Sequence, residues 1–220
     1  MSTLKTTNLQ HPSAASPAIV LDADGDATYS GVHDFSAATV TGAGGLRLVT
    51  PTSIANSGGS ASASGGAVTF TGVTSLSLNG VFSSGYDNYR IIIRSVYSTG
   101  TNGFMRLRAA GTDNTTASSY VVQELTASST SVNGSRITAD NWRSWSGAVT
   151  ITNGVAFDIY SPFLATSTAL TSSEINSSSG AYLANYAGTH NQTTSYDGAT
   201  FYVTSGNITG IIRVYGYQNS

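Results

Sequence analysis

A chain of 220 residues with a single lysine, Lys5, and only two glutamates, Glu124 and Glu174, has little with which to build solvent-facing helices. Those two residue types normally cover exposed helix faces, because they favour the helical backbone and solvate it. Thr, Val, Tyr, Ile and Ser take their place, and these suit strands and turns. The chain is therefore expected to be all-β. Charged residues make up 9% of it, against roughly 25% in an ordinary globular domain. Hydrophobic residues at 40% still supply a core, and disorder would need low hydrophobicity together with high net charge.

The same composition excludes several function classes. A net charge of −2 leaves no basic excess to neutralise phosphates, so nucleic acid is not an expected partner. Without cysteine there is neither a disulfide framework nor a thiolate metal site. No apolar run approaches the ~20 residues of a membrane helix, so no membrane insertion is expected. Met1 to Gln10 lacks the apolar core of a signal peptide, which predicts assembly in the cytoplasm without export.

Along the chain, residues 1–54 read as an attachment segment. Pro12 and Pro17 oppose helix and donate no backbone hydrogen bond, which predicts an extended arm. Ile19-Val20-Leu21 and Ala27-Thr28-Tyr29 flank a turn signal at Asp24-Gly25 and predict a short hairpin. Residues 55–66, rich in Gly, Ser and Ala, read as a flexible linker. Beyond it, residues 67–220 carry closely spaced strand signals at 67–71, 74–79, 88–97, 103–109, 119–126, 131–138, 147–152, 155–160, 181–187, 199–205 and 209–217. Their spacing and turn residues predict an antiparallel β-sandwich, jelly-roll-like, serving as a head domain. In the strongest run, Tyr89, Ile91 and Ile93 share one face while Arg90, Ile92 and Arg94 share the other.

Several residue groups are candidate sites. Asp22, Asp24 and Asp26 lie close enough together for a calcium loop, which wants converging carboxylate oxygens. Gly25 stands at the fourth position rather than the sixth, however, and His33 occupies the twelfth, so a polar turn fits better and no metal is assigned. Pairing of 88–97 with 103–109 would crowd Arg90, Arg94, Arg106 and Arg108, half of the chain's arginines, onto one patch. Like charges opposed on a sheet need neutralising. An anionic ligand such as a surface polysaccharide would serve, as would Asp87, Asp113, Asp158 or Glu124 within the chain or across a subunit interface, which is the preferred reading.

Asp140, Asn141, Trp142 and Trp145 form either a sugar platform, if the indoles are exposed, or a part of the core or of a subunit seam. On a regular strand the two indoles would point to opposite sides, because their spacing is odd. The polar stretch from Thr189 to Gly198, with His190, Tyr196 and Asp197, is a candidate binding tip, since recognition concentrates on loops held by rigid scaffolds. Catalysis finds no motif. A glycosidase needs two carboxylates roughly 5–9 Å apart, and no local pattern brings two together; nucleophile elbows and zinc helices are equally missing from the sequence. A non-enzymatic protein without cofactors is expected.

Two segments resemble virion structural proteins of tailed bacteriophages. Thr6-Thr7-Asn8-Leu9-Gln10-His11-Pro12-Ser13, followed by Ile19-Val20-Leu21-Asp22-Ala23-Asp24-Gly25, is similar to the start of tail-fibre and related proteins. The closing Gly206-Asn207-Ile208-Thr209-Gly210-Ile211-Ile212-Arg213-Val214-Tyr215-Gly216 is similar to the last strand of β-sandwich heads on such proteins. The resemblance implies a homotrimer that docks on other virion proteins of tail, neck or capsid through its N-terminus, with Leu9, His11 and Pro12 as attachment residues. The head would then project for host-surface adhesion, with a surface polysaccharide as ligand. The chain departs from a full-length fibre in having no collagen-like tract, coiled-coil heptads or long shaft. A head decoration or cement protein bridging capsomers, and a carbohydrate-binding module, are the alternatives.

Overall fold

The computed structural model describes residues 8–9, 19–21, 27–29, 45–147, 149, 152–176 and 182–219. The chain divides into two units, Met1–Ala43 and Gly44–Ser220. In the first, β1 (Asn8–Leu9), β2 (Ile19–Leu21) and β3 (Ala27–Tyr29) form an antiparallel sheet in that order. Ile19 opposes Tyr29 and Leu21 opposes Ala27, so the expected hairpin forms.

In the second unit two antiparallel sheets pack as a sandwich. One contains β5 (Ser53–Ser57), β8 (Ser75–Asn79), β10 (Thr101–Ala109), β11 (Thr112–Asp113), β14 (Trp142–Gly147) and β18 (Gly198–Val203). Its order is β11-β10-β18-β8-β5, with β14 also paired to β10. The larger sheet contains β4 (Leu46–Val49), β6 (Ser60–Ser64), β7 (Ala67–Val73), β9 (Asn88–Tyr97), β12 (Tyr120–Ser128), β13 (Ser131–Ala139), β15 (Asn153–Tyr160), β16 (Thr168–Asn176), β17 (Tyr182–His190) and β19 (Ile208–Tyr217). Its order is β13-β12-β17-β16-β15-β9-β19-β7-β6, with β4 paired to β19. Among the described residues no helix occurs.

Period-two alternation builds the core between the sheets. Strand β9 buries Tyr89, Ile91, Ile93 and Tyr97 and turns Arg90, Ile92 and Arg94 outward, as its sequence predicts. Opposite it, the small sheet contributes Met105 and Leu107 from β10, Phe201 and Val203 from β18, and Leu76 and Leu78 from β8. Trp145 joins the two layers, with its ring edge-on to Phe157 of β15 at 5.7 Å and 5.9 Å from Phe201 of β18.

Both tryptophans face inward, which overturns the expectation that their odd spacing would separate them. The register of β10 against β14 slips between Gly103, opposite Trp145, and Phe104, opposite Arg143. The extra residue is a β-bulge, and it restores the same facing to two side chains three positions apart. Gly103 makes room for the indole, since a Cβ there would stand 2.0 Å from Trp145 Cε2. Gly103→Ala is therefore expected to lower stability by about 1–3 kcal/mol through overpacking, read as a reduced urea midpoint at unchanged slope.

The Gly/Ser tract is not a linker. Residues 53–57 and 60–64 are β5 and β6, and β6 pairs with β7 from Ser60↔Thr71 to Ser64↔Ala67. The glycines serve tight turns: Gly58 and Gly59 have φ of +69° and +40°, Gly65 and Gly66 +54° and +77°. At Gly65 and Gly66 such angles match the two-residue hairpin that joins the paired strands β6 and β7, while Gly58 and Gly59 turn the chain from β5 in the small sheet to β6 in the large one. Composition suggested flexibility where the glycines are positional, and the compact unit begins at Gly44, not at residue 67.

The expected pairing of 88–97 with 103–109 does not form either. Both edges of β9 are taken, by β15 and β19, while β10 pairs with β18, β14 and β11 in the other sheet. The connection at Ser98–Gly100 is an arch between layers, anchored by Ser98, which donates its N–H to the Asn207 carbonyl at 3.0 Å.

Candidate functional site

With Gly103, Met105 and Leu107 turned inward, β10 turns Phe104, Arg106 and Arg108 to the outer face of the small sheet. Across the register, Phe104 opposes Tyr202 and Arg106 opposes Thr200 on β18; Thr200 in turn opposes Ser77 and Tyr202 opposes Ser75 on β8. These residues build a polar groove of about 310 Å³, bordered by Ser57, Thr74, Ser75, Arg106, Asp113 and Tyr202.

Two arginine–carboxylate pairs fix its walls. Arg108 is largely buried and forms an ion pair with Asp113. It donates further hydrogen bonds to Asn79 Oδ1 at 3.0 Å, Ser77 Oγ at 3.0 Å and Thr200 Oγ1 at 2.7 Å, and one to the Gly111 carbonyl. Thr200 donates to Asp113 Oδ1 at 2.7 Å, so the carboxylate is held from two sides. Arg106 pairs with Asp140 and donates from Nε to the Asp140 carbonyl at 3.1 Å. Its guanidinium carbon lies 4.9 Å from the centroid of the Tyr202 ring, and that ring stacks on Phe104 at 5.4 Å. Burial raises the Tyr202 phenol above its ordinary pKa, so at neutral pH it is a neutral donor and acceptor.

Hydroxyls, an amphipathic ring and fixed charge pairs around a shallow groove are suited to a ligand with many hydroxyl groups. A ring can cover C–H faces, and neutral hydroxyls can exchange hydrogen bonds. Both carboxylates of this face are committed to arginines, which favours holding a ligand over proton transfer. Among the described residues no group of three His, Asp or Glu side chains is placed to hold a metal ion.

The residues singled out from sequence are distributed differently. Trp142 and Trp145 are fully buried, so they form no exposed sugar platform. Trp142 donates from Nε1 to the Thr189 carbonyl at 3.2 Å and meets Tyr120 edge-on at 5.1 Å. Asp140 does reach the candidate groove, through Arg106, and Asn141 donates to Asp140 Oδ1 at 2.6 Å. The expected binding tip is in good part structural. His190 and Tyr196 are buried and share a 2.6 Å hydrogen bond, and Asp197 accepts from the Ala110 N–H at 3.2 Å. Burial lowers the His190 pKa to about 4, because a charged imidazole there would lose its hydration.

The four arginines do not form one patch, because their strands belong to different sheets. Arg90 pairs with Asp158, and Tyr217 bonds to the same carboxylate at 2.6 Å. Arg94 lines a separate hollow with Thr152 and Thr209 on the large sheet. Two of the carboxylates proposed from sequence, Asp113 and Asp158, are arginine partners within the chain; Glu124 pairs instead with Arg143. Leu9 lies in β1, and His11, Pro12, Asp22, Asp24 and Asp26 lie outside the described residues. Sequence reading missed Thr200 and Tyr202. Their shared face follows from period two, but nothing local announces that β18 lies beside β10.

No family model and no curated protein matches the chain. Among solved structures, the crystal structure of the botulinum neurotoxin serotype G binding domain is similar over 82% of this chain and 45% of that one, at 8% identity and a TM-score of 0.23. This chain thus spans less than half of that domain's length, and a likeness at this level carries no argument about function.

Proposed function

We propose that this protein is a non-enzymatic virion component of a tailed bacteriophage, a short trimeric fibre or tail-tip protein whose sandwich is presented for host-surface adhesion. The resemblance of the two chain ends to such proteins supports the virion part. The adhesive part is carried by one observation: the hydroxyl-lined groove of Ser57, Thr74, Ser75, Asp113 and Tyr202, with its carboxylates neutralised by arginines. A surface polysaccharide offers that groove repeated hydroxyls, and several weak sites on one particle gain strength by multiplicity. The N-terminal unit, with Leu9, His11 and Pro12, docks on other virion proteins in this reading.

Immunogold labelling of particles whose genome encodes the chain tests the assignment. Gold at the tail or its fibres is the expected result. Labelling spread over the capsid would replace the fibre reading by a decoration protein, and particles free of label would refute a virion role.

A further inference from the structure

The groove on the small sheet restricts its ligand more sharply than a hydroxyl-rich lining alone would, because the hydroxyls of its floor are already engaged. Thr200 gives its hydroxyl hydrogen to Asp113 Oδ1 at 2.7 Å and accepts from Arg108 Nη1 at 2.7 Å. Ser77 Oγ accepts from Arg108 at 3.0 Å, and its own hydrogen goes to Thr200 Oγ1 at 2.9 Å, since Thr200 has none left to give. Neither floor hydroxyl keeps a hydrogen for a ligand. The atoms left open lie on the walls. Both side-chain bonds to Asp113 reach Oδ1, and among the described residues nothing donates to Oδ2. Arg106 reaches Asp140 through Nε and Nη2, which leaves the hydrogens of Nη1 without an acceptor among the described residues. Neither Oδ2 nor Nη1 is sealed from solvent, and both residues line the groove. The hydroxyls of Ser57, Ser75 and Tyr202 complete the set, and each can donate or accept.

We infer that the groove takes an uncharged hexose residue and rejects acidic and amino sugars. An anion that only accepts faces one wall and a cation that only donates faces the other. Their counter-charges, Arg108 and Asp140, are already paired with them, so the site has no net charge to offer an ion. A ligand carboxylate or sulfate would satisfy Arg106, yet it brings no hydrogen to Asp113 and stands against its charge. A ligand ammonium group does the reverse. A hydroxyl both donates and accepts, so the hydroxyls of one neutral sugar satisfy Asp113 Oδ2 and Arg106 Nη1 together. Each such bond has one ionised partner and is stronger than a bond between neutral groups. A ligand that covers either atom without bonding it strips away its water, and this makes the exclusion steep.

The inference deepens the proposed function and rests on its reading of this groove as the adhesive site. Plasmon resonance of the intact chain over immobilised mannan, dextran, polygalacturonate, carboxyl-reduced polygalacturonate and chitosan tests it. The reduced polymer keeps the backbone of its parent and replaces each carboxylate by a hydroxymethyl group. At least one of the three neutral polymers should bind, and at least about tenfold more tightly than polygalacturonate or chitosan. Salt should leave that binding unchanged, because no net charge is screened. Asp113→Asn should bring the preference over polygalacturonate down about tenfold, and Arg106→Gln the preference over chitosan, whereas damaged packing would weaken every polymer in proportion. If Asp113→Asn fails to fold with Arg108 left unpaired, Arg106→Gln, whose partner Asp140 is partly exposed, carries the test. A charged polymer bound as tightly as the neutral ones, three neutral polymers left unbound, or folded variants with unchanged preferences overturns the inference. Adhesion itself is read on the host's own polysaccharide and the virion role by labelling, so each fails separately.

Discussion

Trp145→Ala should cost about 3–5 kcal/mol of folding free energy, the range found when a buried aromatic is cut to a methyl group. Domains hold only about 5–15 kcal/mol in total, so the loss is a large share of the stability and should lower the urea midpoint markedly. The magnitude follows from position. Trp145 is buried at the centre of the sandwich, it contacts Phe157 of one sheet and Phe201 of the other, and Gly103 leaves a recess shaped to it. On the Gly103 side no side chain is present to move into such a void. Trp145→Phe should lose less, since it keeps the edge contacts and empties a smaller volume. Urea titration followed by dichroism reads both. An exposed sugar-binding indole would behave in the opposite way, losing ligand affinity at unchanged stability.

The second large effect is a dependence on pH. His190 is buried among Tyr120, Trp142 and Tyr196, stacked on the Tyr120 ring at 4.0 Å and hydrogen-bonded to the Tyr196 hydroxyl. Its folded pKa is lowered to about 4, against about 6.5 in an unfolded chain. The unfolded state therefore binds the proton first. Stability is complete above pH 6.5 and declines as the pH falls from there towards 4, by about 3 kcal/mol at the acid end. Denaturation midpoints measured from pH 7.5 to 4 should follow that course, and His190→Gln should flatten it. An unchanged midpoint over this interval would mean that the imidazole is hydrated in the folded protein.

The fold is legible in the sequence where one strand carries its own signal. The alternation Tyr89, Ile91, Ile93 against Arg90, Ile92, Arg94 identifies β9 and both of its faces, and the scarcity of Lys and Glu identifies the class of fold. It is hidden where structure depends on a partner distant in sequence. Strand β16, Thr-Ala-Leu-Thr-Ser-Ser-Glu-Ile-Asn, has little apolar contrast of its own, and it is a strand because β15 and β17 flank it. The tract 55–66 has the composition of a linker, yet its glycines supply the positive φ of one hairpin, β6 to β7, and of the crossing from β5 to β6 between sheets. The bulge in β14 redirected Trp145, and one extra residue is invisible to a strict period of two. At the candidate groove, Asp140 was singled out for its neighbours Trp142 and Trp145. It contributes through Arg106 instead, a residue assigned from sequence to a different patch. A site assembled from β5, β8, β10, β11 and β18 draws residues from Ser57 to Tyr202, and only the sheet order brings them together.

Separation of a binding face from a packing core is the centre of this account, and surface plasmon resonance of the intact chain on purified host-surface polysaccharide tests it most directly. Wild-type protein should bind, and Tyr202→Ala, folded by dichroism, should bind at least about tenfold more weakly, equivalent to ~1.4 kcal/mol. Wild-type protein that does not bind, or a folded Tyr202→Ala variant that binds equally well, would contradict the account.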